Sequence, residues 1–152
     1  MSTINKPNKF LPTTLEEMHD RGWYELDVVL ITGDAYIDSP FMGIAVVGRI
    51  LEDMGLRVGI IGQPDVNSDV DVKRMGEPKL FWGVSGWSID SMVSNYTATK
   101  RFRSTDDYTP GGKNDKRPDR ATLVYTNLIR RYFKGTVPIV LGGMEASLRR
   151  LA

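Results

Sequence analysis

The chain has 152 residues, of which 41% are apolar and 26% are charged, and its net charge is +1. This composition is typical of one globular domain, and the balanced charge excludes a general attraction to nucleic acids or to a membrane surface. With no cysteine and one histidine, the chain itself cannot form disulfides, thiolate zinc sites or a cysteine-ligated iron–sulfur cluster. No apolar run approaches the roughly 18 residues of a membrane span, and the polar start has no signal-peptide core, so we expect a cytoplasmic protein.

Residues 1–26 are predicted to form a polar arm followed by a short helix. Thr14 and Glu17 have the spacing of a capping box, which indicates a helix from Leu15 to Arg21. The single histidine, His19, lies on this helix. It has two alternative interpretations. The first is a functional residue, either a metal ligand or a general base, and the second is a solvated helix residue. The nearby sequence supplies no partner for the first role, so we favour the second.

Residues 27–152 are predicted to form an α/β domain built around a strand–helix–strand unit. Short apolar runs at Val28–Ile31 and Val58–Ile61 are typical of parallel strands buried on both faces. Ser39 is the predicted N-cap of the helix between them, and Gly55 is its predicted left-handed C-terminal residue. The inner face of this helix is predicted to consist of Phe41, Ile44, Ala45, Gly48, Leu51 and Met54.

The rest of the chain is predicted to alternate helices with two further strands. In order, these are an irregular helix between Val66 and Gly76, a strand at Leu80–Val84, a helix from Ser88 with Met92, Val93 and Tyr96 inward, a helix capped by Asp119 that ends at Phe133 with Leu123, Leu128 and Ile129 inward, a strand at Val137–Leu141, and a helix at Glu145–Leu151. Four buried strands alternating with helices suit a flavodoxin-like or Rossmann-like open parallel sheet of order 2-1-3-4, with helices on both faces and a fifth strand missing. We therefore interpret the chain as the first part of a larger protein.

A long loop is predicted from Thr99 to Arg117, where the apolar periodicity stops. Between Lys100 and Arg120 there are seven basic and four acidic residues, with Phe102 and Tyr108 among them. Basic residues with aromatic neighbours can bind single-stranded nucleic acid. We favour the alternative, a solvated loop of mixed charge, because the acidic residues interrupt the basic patch. We therefore expect no nucleic-acid partner.

Three predicted loops meet at the carboxyl edge of the sheet, where open α/β sheets bind their ligands. The candidate ligand-binding residues in these loops are Gly33, Asp34, Tyr36, Asp38, Ser85, Gly86, Trp87, Gly142, Gly143 and Glu145. Glycines admit a ligand to the backbone and free N–H groups suit an anion, although glycines also serve tight turns.

The acidic residues of this edge suggest a possible metal site. Asp34 and Asp38, together with Asp65, could hold Mg²⁺, and the competing role is to cap their own loops. No Walker-type or GxGxxG motif is present. One functional hypothesis is therefore a free-standing flavodoxin-like binding or receiver module, in which Asp34, Asp38 and Gly142–Gly143 contact a phosphate-bearing ligand.

Several long stretches of the sequence point to a family. They are RGWYELDVVLITGDAYIDSP, the turn RVGIIGQPD, the loop YTPGGKNDKRPDRA and the end VLGGMEASLRR. In these stretches the chain closely resembles, from Lys6 to Ala152, the N-terminal domain of the YgiQ family of radical S-adenosylmethionine (radical SAM) proteins. The resemblance implies that a catalytic barrel follows, which holds a 4Fe-4S cluster and cleaves S-adenosylmethionine to a 5′-deoxyadenosyl radical. It implies that this chain is an accessory domain that packs on the barrel and is inactive alone.

The domain also resembles the cobalamin-binding modules that precede some radical SAM barrels. Their D-x-H-x-x-G fingerprint falls on Asp34–Ser39, where the aspartate matches but Tyr36 stands in place of the cobalt-ligating histidine. Ser85 and Trp87 stand at the S-x-L positions, and Gly142–Gly143 match the double glycine. A phenol is a poor substitute for an imidazole, so the resemblance implies at most cobalamin bound without a histidine ligand.

Overall fold

A computed structural model describes residues 10–86 and 88–149 of the protein. Its elements are α1 (Leu15–His19), β1 (Val28–Thr32), α2 (Gly43–Asp53), β2 (Val58–Gly62), α3 (Val70–Lys73), β3 (Phe81–Ser85), α4 (Ser91–Asn95), α5 (Ala121–Tyr132), β4 (Ile139–Gly142) and α6 (Gly143–Arg149). The predicted arm up to residue 9 and the predicted helical residues 150–151 lie outside the described part. None of the helices in the described part is long and apolar enough to cross a membrane.

The sheet has four strands in the order β2-β1-β3-β4. All three pairings are parallel, so the predicted α/β class and strand order are confirmed. Val28 of β1 pairs with Val58 on one side and with Phe81 on the other, and every residue of β1 is buried. An unbroken apolar run is what such a position requires, since this strand has neighbours at both edges and on both faces.

Helices pack on both faces of the sheet, as predicted. Successive residues of β1 point to opposite faces. Val29 and Ile31 join a buried cluster that includes Tyr125 of α5, whereas Leu30 joins a second cluster with Leu11 and residues of α2. We call these two sides of the sheet the α5 face and the α2 face.

The helix after β1 begins later than predicted. The predicted N-cap Ser39 instead starts a turn, in which the Met42 amide donates to the Ser39 carbonyl at 3.0 Å, and α2 begins after this turn. Phe41 therefore precedes the helix and does not share its periodicity, and it is 94% exposed. Met54, at the C-cap, is also exposed, so the inward placement of these two residues was wrong. Gly55 has the predicted left-handed conformation, with φ of 89°.

The short helix α4 also begins later than predicted, after its N-cap Asp90. The Asp90 carboxylate accepts a hydrogen bond from the Met92 amide at 2.8 Å. Val93, which was predicted to face inward, is exposed, and the residues buried in this helix are Ser91 and Asn95. The prediction was wrong because it placed apolar side chains inward, while the buried side of α4 makes polar contacts with its neighbours.

Asp119 does not cap α5 as predicted. Its carboxylate accepts a hydrogen bond from the Asn95 side chain at 2.8 Å, and the N-cap is Arg120, which has a left-handed φ of 53°. Leu123 is exposed, contrary to the prediction, while the other two predicted inner residues of α5 are buried. Asp119 thus joins α4 to the start of α5.

Most residues of the segment 99–117 are exposed, as predicted for a solvated loop, but part of the segment is buried and fixed to the domain. Its carbonyl at Tyr108 accepts a hydrogen bond from the Ala35 amide at 3.0 Å, which fixes the segment to the loop after β1. Four of its polar side chains are buried, namely Asp106, Thr109, Asn114 and Arg117. The prediction of a solvated loop did not identify this buried part, in which Arg117 pairs with Asp106 inside the protein.

Candidate functional site

At the carboxyl edge of the sheet, the loop after β1 contacts the loop after β3, which in turn contacts α6, the helix that directly follows β4. A Cβ atom on Gly33 would lie 1.9 Å from the carbonyl oxygen of Gly86. A Cβ atom on Gly86 would lie 2.7 Å from a carboxylate oxygen of Glu145. These two glycines are therefore required by the packing of the loops against one another. Trp87, the remaining candidate in the loop after β3, lies outside the described residues.

Asp34, in the loop after β1, is a buried carboxyl group that is only 3% exposed. Its Oδ2 accepts a hydrogen bond from the Ser88 hydroxyl at 3.0 Å, and its Oδ1 lies 3.9 Å from the Arg117 guanidinium. Oδ1 accepts no hydrogen bond from any described residue. Burial raises the pKa of Asp34 to about 6, against the opposing effects of the Ser88 hydrogen bond and the Arg117 charge. The group therefore changes protonation near neutral pH, a property that is common at functional sites.

Arg117 is a buried cation at the same edge, and sequence reasoning did not identify it. Its side chain has no exposed area, and Nη2 donates to the Asp106 carboxylate at 2.6 Å. Asp106 also accepts a hydrogen bond from the Thr109 hydroxyl, whose oxygen accepts one from the Gln63 amide at 2.6 Å. The only sequence signal was the unusual length of the loop, because nothing in a mixed-charge pattern marks one arginine as buried.

Glu145 was predicted as a ligand contact, but its hydrogen-bonding capacity is used within the protein. The side chain is fully buried. One carboxylate oxygen accepts from the Ser91 amide at 2.9 Å, and the other accepts from the Thr122 amide at 2.9 Å. Burial alone would raise the pKa of Glu145, but these hydrogen bonds prevail and lower it. An ionised Glu145 thus joins α6 to the first residues of α4 and α5, where backbone N–H groups are otherwise unpaired.

Tyr36 and Asp38 do not line a shared site with Asp34. Tyr36 packs against the buried cluster of the α2 face, and burial raises the pKa of its phenol to about 12. A buried phenol that stays protonated is not a metal ligand, so the residues present do not fit cobalamin with a protein ligand at this position. Asp38 forms an ion pair with Arg49 of α2. His19 is exposed and lies 5.3 Å from the ring of Tyr24, which agrees with a solvated helix residue.

The described structure does not bring together the three aspartates of the hypothetical magnesium site. Asp34 pairs with Ser88, Asp38 pairs with Arg49, and Asp65 accepts a hydrogen bond from the Asn67 amide at 2.9 Å. Among residues 10–86 and 88–149, no group of three or more histidine, aspartate or glutamate side chains is placed to hold a metal ion.

An apolar groove leads from Asp34 along the α2 face of the sheet. Its volume is about 530 Å³. The walls are mainly apolar and come from the sheet and from α2, including Leu30, Phe81, Val140, Met42, Val47 and Leu51. The polar groups are at the carboxyl edge, where Asp34, Ser85 and Ser88 lie next to Gly142 and Gly143. An apolar cleft with a few polar groups at one end is typical of sites for small ligands or for apolar protein segments.

The raised pKa of Asp34 predicts a pH-dependent cost in stability. The folded pKa of about 6 exceeds the unfolded value of about 3.9. The stabilising contribution of Asp34 is therefore complete below about pH 4 and is lost as pH rises through about 6. We expect Asp34→Asn, which keeps an acceptor for Ser88, to raise the free energy of unfolding by about 2–3 kcal/mol at pH 7.5 and to change it little at pH 4.

Urea unfolding of the 152-residue chain at both pH values measures this effect. Asp53→Asn is the matched control, since Asp53 is an exposed carboxylate on α2. A loss of stability in Asp34→Asn of the same size at both pH values would show that Asp34 is not held partly protonated by burial.

The strand order and the polar groups at the carboxyl edge define the chain as a flavodoxin-like α/β domain. Residues 10–152 match the family model described as Radical SAM N-terminal. The chain therefore belongs to this family of N-terminal domains. No solved structure matches the chain.

The similar curated proteins are UPF0313 proteins of bacteria. The chain is 62% identical over 143 residues to the protein of Thermotoga petrophila. The matched region covers 94% of this chain and 25% of the relative. It is 58% identical over 144 residues to a protein of Fusobacterium nucleatum, with the same two coverages of 94% and 25%. With a protein of Rhodopseudomonas palustris it shares 55% identity over 147 residues, or 97% of this chain and 22% of the relative. The chain thus spans about a quarter of the length of the relatives that it matches.

Proposed function

We propose that this chain is the accessory domain of a radical SAM iron–sulfur protein and packs on the catalytic domain of that protein. The observation that carries the proposal is the match to the Radical SAM N-terminal family over residues 10–152. The fourfold greater length of the UPF0313 relatives leaves room for a fused catalytic domain. A 4Fe-4S cluster, when bound, supplies the electron that cleaves S-adenosylmethionine to methionine and a 5′-deoxyadenosyl radical. This chain has no cysteine, so the cluster ligands belong to the other part of the protein.

We further propose that the carboxyl edge contributes contacts to a small ligand of that protein, with Asp34 as the principal residue. Three properties support Asp34 as a ligand contact. They are its burial, its Oδ1 atom, which accepts no hydrogen bond from a described residue, and its pKa of about 6. At neutral pH such a carboxyl group can accept a hydrogen bond from a ligand or, when protonated, donate one. Gly142 and Gly143 line the same groove.

The accessory role is tested by comparing two proteins. One is the 152-residue chain alone. The other, which we call the long protein, is the Thermotoga petrophila relative with its matching N-terminal residues replaced by this chain. After anaerobic treatment with iron and sulfide, we expect 4Fe-4S absorption in the long protein. With dithionite and S-adenosylmethionine, we expect 5′-deoxyadenosine from the long protein only. A stoichiometric cluster in the 152-residue chain, or none in the long protein, would contradict the proposal.

The role of Asp34 is tested in the same long protein by adding a small-molecule extract of bacterial cells as the source of substrate. We expect Asp34→Asn to reduce the extract-stimulated formation of 5′-deoxyadenosine by about tenfold, because one hydrogen bond to a charged group is worth about 1.5–3 kcal/mol. Cleavage without extract should be unchanged, since it does not need the ligand. Asp53→Asn is the control. Equal stimulation of all three proteins would show that Asp34 does not contact the ligand.

A further inference from the structure

The α2 face of the sheet is only half covered by the described elements. α2 packs on β1 and β2, whereas α5 packs on β3 from the opposite side. Val140 of β4 pairs with Gly83 of β3, and both line the groove on the α2 face. Val140 is 51% exposed. Parallel sheets are normally buried on both faces, so this uncovered half is the unusual feature of the domain.

The uncovered half has the size and chemistry of a seat for one helix. Neighbouring strands lie about 4.8 Å apart, so the two uncovered strands β3 and β4 span about 10 Å, which is about the diameter of one helix with its side chains. On one flank, α2 presents Val47, which is 48% exposed, to the groove. On the other flank, Met144 of α6 is half exposed at the end of β4. The groove is polar only at the end that holds Asp34 and Ser88.

The path of the chain indicates which segment is available to cover it. α6 leaves β4 toward the α5 face, because Glu145 binds the amides of Ser91 and Thr122 there. A right-handed crossover through α6 brings the next parallel strand to the free edge of β4. A helix that follows this strand and returns toward α2 then runs over the α2 face. The relatives are about four times as long as this chain, so they have residues to supply both elements.

We propose that the groove on the α2 face is covered by an amphipathic helix of the same polypeptide, the first helix after a fifth strand that pairs with β4. In the longer relatives this helix belongs to the segment that follows the residue matching Ala152. Its apolar side contacts Val47 on α2 and Val140 on β4. The inference rests on the proposed function only in requiring that this domain is part of a longer protein, and it does not depend on the radical chemistry.

The absence of cysteine from the chain allows a direct test. In the 152-residue chain, Val47→Cys introduces the only thiol, on α2 at the groove and away from the edge where a fifth strand would pair. In the long protein, the cysteines of the continuation lie in other peptides and are followed separately. The matched control is Val70→Cys on α3, where the native side chain is 70% exposed and does not line the groove. Each substitution is made in the 152-residue chain and in the long protein with the Thermotoga petrophila continuation. Alkylation rates are read by mass spectrometry of the peptide that contains the introduced thiol.

We expect the thiol at position 47 to react at least about tenfold more slowly in the long protein than in the short chain, because a packed helix must open before the reagent enters. The thiol at position 70 should react at the same rate in both. A photoreactive maleimide attached at position 47 should crosslink to the first helix after the fifth strand of the continuation.

Four results would overturn the proposal. The first is equal reactivity at position 47 in both proteins, and the second is a crosslink to any other part of the continuation. The third is protection in the short chain that increases with its concentration, which would identify a second copy as the occupant. The fourth is protection in either protein only after a small-molecule extract is added, which would identify a ligand site. A long protein that protects this thiol but does not cleave S-adenosylmethionine would contradict the radical SAM role and leave this inference standing.

Discussion

Arg117→Met is expected to lower the free energy of unfolding by about 3–5 kcal/mol at pH 7.5. The substitution removes the cation that donates to Asp106 at 2.6 Å and lies 3.9 Å from Asp34. Both carboxylates have side chains that are 4% exposed, so neither can recover its hydration without a change in structure. A whole domain has a net stability of only about 5–15 kcal/mol, so this variant is expected to be near the limit of folding.

Urea unfolding of the variant and of the wild-type chain measures this loss of stability. The control is Arg101→Met, which changes an exposed arginine of the segment 99–117. The double variant Asp106→Asn with Arg117→Met should be more stable than Arg117→Met alone, because it removes one of the two uncompensated charges. The loss should also be smaller at pH 5 than at pH 7.5, since Asp34 is then mostly protonated, given its pKa of about 6. An Arg117→Met chain as stable as the wild type would show that the buried charges are hydrated or neutral.

Glu145→Ala is the second large effect, with an expected loss of about 3–5 kcal/mol in the free energy of unfolding. The carboxylate accepts two hydrogen bonds from backbone amides, at Ser91 and Thr122, and each N–H group would lose its partner inside the protein. Each buried N–H group without a partner costs about 1–3 kcal/mol, and the removed side chain leaves a cavity as well.

The control for this prediction is Glu145→Gln, which keeps one acceptor oxygen and should lose about half as much stability. Hydrogen exchange gives a second readout, because the amides of Ser91 and Thr122 should lose protection selectively. The pKa of Glu145 is lowered in the folded state, so its contribution is present above the unfolded pKa of about 4.3 and should persist at pH 5. Unchanged exchange at both amides in Glu145→Ala would show that the carboxylate does not hold the two helices.

The sequence was sufficient for the sheet because its strands are continuous apolar runs separated by helical patterns. Such runs are typical of strands buried on both faces, and β1, β2 and most of β3 are buried. The run of β4 was also predicted to be buried, but this strand is mostly exposed. Helical crossovers require parallel neighbours. Helix starts were less well predicted, as the exposed Phe41 shows, because a turn at Ser39 delays α2 while the apolar spacing continues unbroken through it.

The polar contacts of the site could be predicted only in part. Asp34 was placed at the carboxyl edge because it directly follows an apolar run that ends there. Arg117 and Glu145 act on partners that are distant in sequence, such as Asp34 and Thr122. Their burial depends on how the loops pack, and a local pattern contains no information about that contact. A glutamate beside two glycines suggested a ligand contact, whereas its partners are the backbone amides of the protein itself.

The parallel sheet also constrains the order in which the domain can form. Val28 pairs with Val58 and Phe81, and Trp82 pairs with Ile139, so each strand pair joins segments that are far apart in the chain. Long loops must close before any of these pairs forms, which slows folding compared with a helical bundle of the same size. The β1–β2 pair closes the shortest of these loops and can assemble first during synthesis. Glu145 follows β4 in the chain, so the first turns of α4 and α5 remain without their shared carboxylate until α6 has left the ribosome.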